Sequence, residues 1–155
     1  MPTVIVETVI AAPVARCFDL ARDIDLHCAG NVATGEKAVA GVMHGKIAGG
    51  ETVTFEATHF GVRQRLMSRI TDFNPPHEFV DEMVRGAFQS LHHRHSFEPA
   101  PGGTLMRDTL TFVSPLGVLG VVADRLFLTD YMRRFLQMRN AHLKAAAEQT
   151  PPRRR

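Results

Sequence analysis

Residues 104–136, TLMRDTLTFVSPLGVLGVVADRLFLTDYMRRFL, contain the change of period that decides the fold. Up to Val113 apolar and polar residues alternate, so Met106, Leu110 and Phe112 share one face of a strand and bring Asp108 with them. After Ser114-Pro115 the period lengthens. Leu119, Val122, Ala123, Leu126, Phe127, Met132, Phe135, Leu136, Met138 and Leu143 suit one long helix over about 118–148. Asp124, Arg133, Arg134, Arg139 and Lys144 are expected on its solvent side. A strand with one apolar face and a helix with one apolar stripe each need a partner to cover them.

The chain upstream supplies the rest of the sheet. Residues 3–10, TVIVETVI, are β-branched and predict a first strand. Pro13 suits the first turn of a helix. Val14, Cys17, Phe18 and Ala21 then form an amphipathic stripe, and a second short helix is predicted from Ile24 to Ala29. From Glu36 to Val113 the breaks at Gly49-Gly50, Phe60-Gly61, Asn74-Pro75-Pro76, Gly86 and Pro101-Gly102-Gly103 leave runs of strand length. Connections this short give antiparallel neighbours rather than crossovers. The expected fold class is α+β: a curved antiparallel sheet of about six to seven strands around one long C-terminal helix, with two short helices after strand 1.

Composition narrows the class further. With 155 residues, 45% hydrophobic and 22% charged, residues 1–150 read as a single globular domain. Arg153, Arg154 and Arg155 follow Pro151-Pro152 as a disordered basic tail over 151–155. Without these arginines the 18 basic residues fall to 15 against 16 acidic, a net of −1, so the body is not basic and no nucleic-acid partner is expected. The most apolar window, Val113 to Leu128, is broken by Pro115, Gly117, Gly120, Asp124 and Arg125, so no transmembrane segment is expected. No basic leader precedes an apolar run at the N-terminus. Two cysteines, Cys17 and Cys28, form no framework, which points to a reducing, cytoplasmic setting.

The element order, the ETVTFEATHFGVRQRL and FVDEMVRGAF stretches and the PLGVLGVVADRLFLTDYMRRFL segment resemble the helix-grip superfamily of START, Bet v 1 and polyketide-cyclase proteins. The likeness covers residues 3–148 and is nearest to bacterial cyclase/dehydrase-like members. It implies a cavity between sheet and helix, of the kind that holds lipids, sterols, plant hormones, polyketides or quinones in that superfamily. No catalytic signature comes with it.

Alternation assigns the inward side chains. Val53, Phe55 and Ala57 share a face with His59, and Leu91 and Phe97 share one with His93 and His95. Leu110 and Phe112 bring Asp108, Phe79 and Met83 bring Asp81, and Leu66 and Ile70 bring Ser68. A sheet needing only a core has no use for these polar groups, since one left unpaired costs roughly 1–3 kcal/mol. Apolar walls with a few convergent polar groups describe a small-molecule site. The candidate ligand-binding residues are Phe55, His59, Asp81, Leu91, His93, His95, Asp108, Leu110, Phe112 and, on the covering helix, the sole tyrosine, Tyr131. His93 and His95 form an H-x-H able to reach one ion, with His59 or Asp108 as a third ligand. The resembled superfamily has no standard metal site, and we expect neither metal nor cofactor. The expected function is binding of a small hydrophobic or amphipathic molecule. The alternatives are a cyclase-, dehydratase- or isomerase-like enzyme using His93, His95 and Asp108, and a protein scaffold with a filled core. Ser68 and Ser90 lie in no nucleophile elbow. A homodimer is compatible with this reading.

Overall fold

The computed structural model describes residues 2–114, 119, 122 and 127–149. The chain runs β1 (Thr3–Ile10), α1 (Val14–Ala21), α2 (Ile24–Ala29) and a 3-10 turn (Val32–Thr34). It continues through β2 (Lys37–Gly41), β3 (Thr52–His59), β4 (Val62–Asn74), β5 (Glu78–Arg85), β6 (Ser90–Ala100), β7 (Gly103–Val113) and α3 (Thr129–Glu148). The strands form one seven-stranded antiparallel sheet in the order β1-β7-β6-β5-β4-β3-β2. The meander therefore runs in sequence from β2 to β7, and the first strand returns to pair with the last. This is the α+β helix-grip arrangement expected from the sequence.

Local chemistry explains the hairpins and the curvature. His59 pairs with Val62 across a two-residue turn, in which Phe60 (φ 52) and Gly61 (φ 73) both adopt the positive φ that a tight hairpin of this twist requires. Register shifts in the β4–β5 pair at Met67/Ser68 and between Ile70 and Asp72 bend those strands. The bend makes a concave face, and α1 and α3 pack against it. Phe18 of α1 meets Phe79 and Phe97 edge-on at 5.5 and 5.6 Å. Arg16 ties α1 to α3 by donating to the carbonyls of Ala146, Ala147 and Gln149, end-of-helix acceptors with no partner inside the helix.

The inward stripe of α3 is Leu136, Asn140, Leu143 and Ala147, all buried. This corrects three expectations. Met138 follows Leu136 by two positions, roughly 200° around a helix, and is 62% exposed. Arg139 lies beside the buried stripe and turns inward instead of facing solvent. Leu119, Val122 and Phe127, expected in the apolar stripe, are exposed. Leu126 and Asp124, most of the expected helix before Thr129, and the tail over 151–155 lie outside the described residues. Among the described residues the buried apolar side chains form two clusters. One gathers around Phe18, Phe55 and Leu143, the other around Leu91, Phe112 and Leu136. Among the described residues no helix is long and apolar enough to cross a membrane.

Candidate functional site

Strand register brings the inward polar residues of β5, β6 and β7 together. Asp81 lies opposite His93, and His95 lies opposite Asp108. His93 and His95 are buried, whereas His92 and Arg94 between and beside them are exposed. The two imidazoles stack with centroids 3.8 Å apart, and Phe79 stacks on the outer face of His95 at 4.2 Å. Each ring runs from one carboxylate to the other. His93 Nε2 is 2.8 Å from Asp108 Oδ1, while its Nδ1 is 3.9 Å from Asp81 Oδ2. His95 is turned the other way, with Nε2 2.6 Å from Asp81 Oδ2 and Nδ1 3.2 Å from Asp108 Oδ1. From α3, Arg139 Nη2 donates to Asp108 Oδ1 at 3.0 Å and Asn140 Nδ2 donates to Asp108 Oδ2 at 2.6 Å.

Environment sets the protonation of this cluster. Burial pushes the Asp108 carboxyl up, but hydrogen bonds from both histidines and the Arg139 charge hold it well below the usual carboxylate range. Burial also opposes ionisation of Asp81, and the His95 hydrogen bond with the imidazole charges brings it down to about 2. Burial and the neighbouring His95 charge push His93 down to about 4, against the pull of the carboxylates. For His95 burial again favours the neutral ring, yet its hydrogen bonds to Asp108 and Asp81 reverse this and raise it. With a carboxylate at each of its ring nitrogens His95 favours the cationic form, and His93, short of a second acceptor, favours the neutral one. With Nε2–H of His93 donating to Asp108, Nδ1 is its unprotonated nitrogen. With His95 protonated, its charge and that of Arg139 balance Asp81 and Asp108.

Beside the cluster is a cavity of about 410 Å³, within the usual range for small-molecule sites. Phe55, His59, Asp81, Leu91, His93, His95, Leu110 and Tyr131 are on its wall. Asp108 is fully buried behind the imidazoles, which it orients. Phe112 is buried in the second apolar cluster, off the wall. A second polar pair is also on the cavity wall. His59 Nδ1 is 2.5 Å from the Tyr131 hydroxyl, so that hydroxyl is held by a side chain and not by solvent alone. His27 stacks on Phe55 at 4.5 Å and places Nε2 3.0 Å from Glu36 Oε1.

Sequence reasoning missed Glu36, His27, Arg139 and Asn140. Of these only Asn140 was detectable, because Met132, Leu136, Asn140 and Leu143 follow one helical stripe. Glu36 carried no periodic signal. It follows Gly35, whose φ of 64 closes the 3-10 turn and sets the direction of the chain into β2.

Asp81, His93 and His95 offer a carboxylate oxygen and two ring nitrogens within 4.8 Å of one another, a set of types that divalent ions accept. The third member is Asp81, in place of the expected His59 or Asp108. Ligation by His95 would require loss of the proton that both carboxylates hold in place.

The chain belongs to the family described as polyketide cyclase / dehydrase and lipid transport, whose model matches residues 1–148. Its fold is shared with the protein TTHA0849 from Thermus thermophilus, at 20% identity and a TM-score of 0.73 over 94% of this chain and 99% of that one. A START superfamily protein from Mycobacterium smegmatis matches at 16% identity and a TM-score of 0.71, over 95% and 97% of the two chains. Major latex-like protein 151 from Panax ginseng matches at 16% identity and a TM-score of 0.69, over 97% and 98%. None of the curated proteins matches the chain. At these identities the solved structures carry the fold alone.

Proposed function

We propose that the protein binds a small amphipathic molecule in the cavity between sheet and α3. The observation that carries this reading is the make-up of the wall. Phe55, Leu91, Leu110, Phe135 and Leu136 supply an apolar body, and His93, His95 and Asp81 supply polar groups at one place on it. A filled-core scaffold is set aside, since about 410 Å³ is not filled by side chains. Membership of a family described by lipid transport and cyclase activity agrees with such a ligand. The unpaired Cys17 and Cys28 suit a reducing compartment, and we place the protein in the cytoplasm. Native mass spectrometry of protein purified from its own host tests the reading. A co-purified small molecule, displaced by side chains that fill the cavity, is the expected result.

A second reading has an observation of its own. His93, whose Nδ1 has no carboxylate closer than 3.9 Å, stacks on His95 on the cavity wall, so under this reading His93 takes the proton and the His95–Asp81 pair offers one. That pair suits proton abstraction and return on a bound carbonyl compound, as in a cyclisation, dehydration or isomerisation. Under this reading His93→Gln abolishes turnover while ligand affinity stays nearly unchanged.

A further inference from the structure

The ionic groups on the cavity wall can be accounted for one by one. Arg22 donates to Asp19 and to the Ile47 carbonyl, and Arg65 donates to Glu56. Asp23 caps α2 by accepting from the Leu26 N–H. Asp81, His93, His95 and Arg139 belong to the cluster built on Asp108. Among the described residues Glu36 is the exception. Its side chain is 8% exposed, Oε1 pairs with His27, and Oε2 is buried with no hydrogen-bond partner among the described residues. Burial opposes its ionisation, but the adjacent His27, assisted by Arg139 and His59, holds the carboxyl below its ordinary value. Glu36, a residue of the mostly apolar cavity wall, thus holds a buried, ionised oxygen that lacks a donor. Leaving such an acceptor unpaired costs more than leaving a neutral one.

We infer that Glu36 Oε2 is the recognition point for a hydrogen-bond donor on the ligand, so that the cavity takes an amphiphile ending in a hydroxyl and disfavours one ending in a carboxylate. This rests on the cavity-binding reading above and specifies the chemistry of the ligand's polar end. A hydroxyl donates to Oε2 and adds no charge. A carboxylate offers only acceptors at neutral pH and meets a like charge in a low-dielectric space. Arg139 and the His95 cation do not rescue it, because Asp108 and Asp81 already neutralise them.

The test uses the full chain and two ligands that share an alkyl body, decanol and decanoate. Each displaces the neutral dye N-phenylnaphthylamine from the parent protein and from Glu36→Gln. The parent is expected to prefer decanol by roughly tenfold or more, and Glu36→Gln to bring the two within about threefold. The amide removes the like charge and offers its own donor to a carboxylate. The parent's preference needs no variant, so the inference stays testable if the substitution impairs folding. Equal affinity for both ligands in the parent overturns the role of Glu36 and leaves the cavity reading standing. Failure of the dye and both amphiphiles to bind removes the cavity reading and this inference with it.

Discussion

His93 stacks on His95, 3.8 Å between ring centroids, and the two rings are shifted in opposite directions although they neighbour the same two carboxylates. The difference follows from geometry. His95 has short contacts to both Asp81 and Asp108, whereas His93 has a short contact only to Asp108. Two cations this close would repel, so the ring with the better pair of acceptors keeps the proton.

Stability should therefore depend on pH in two directions. His93 titrates near 4 in the folded protein against an ordinary value of 6.5. Between these values the unfolded chain takes up a proton that the folded chain refuses. Stability falls as pH drops through that window, by on the order of 3 kcal/mol. His95 is raised, so its contribution is present below the ordinary value and is lost as pH rises through the folded one. Denaturant melts across pH should show His93→Gln flattening the acid limb and His95→Gln flattening the alkaline limb. Identical profiles for parent and both variants would contradict the assignment.

Asp108 is the anion on which the cluster depends. Asp108→Asn leaves Arg139 buried without its counter-charge, removes one of the two that His95 has, and is expected to cost about 3–5 kcal/mol. Asp108→Asn combined with Arg139→Met should be less destabilised than the sum of the single changes. Thermal melts of the double-mutant cycle measure the coupling, and simple additivity would show that Arg139 pairs elsewhere.

Ala57 is buried and on the cavity wall from β3. Ala57→Leu places apolar atoms in the cavity without disturbing an ionic group. We expect a melting temperature at or above the parent's and roughly tenfold weaker dye binding. Loss of stability with unchanged binding would place the ligand elsewhere.

Tyr131→Phe removes the partner of His59 and retains the ring that packs against Phe60 at 4.6 Å. The hydrogen bond is half-buried, so a loss of about 0.5–1.5 kcal/mol in stability is expected. His59, lowered by burial, should titrate at a different pH in the variant, which NMR of its ring protons would follow.

The legibility of this molecule follows its periods. Strand side chains alternate with a period of two, so His93, His95, Asp81 and Asp108 could be assigned to one face before any coordinates. The final helix was harder. Apolar residues surround much of it, and Met138 and Arg139 were exchanged between its faces because hydrophobicity alone put the methionine inside. Arg139 is buried for a reason that lies on β7, in Asp108, and no local pattern on the helix reports it. Glu36 was invisible for a related reason. A left-handed glycine and a stacked histidine position it, and neither leaves a repeat in the sequence.

The Asp–His cluster also acts as an alignment key for the sheet. Aliphatic strands can slide past one another and still find apolar neighbours. Sliding β6 by one residue would bring His92 and Arg94 to the concave side, and sliding it by two would set Leu91 against Asp81 or Phe97 against Asp108. Each misalignment strands a carboxylate away from water without its imidazole, a penalty of several kcal/mol. The charges that furnish the cavity thereby penalise wrong pairings, and a version of this sheet with an all-aliphatic interior would gain competing registers as it lost its polar wall.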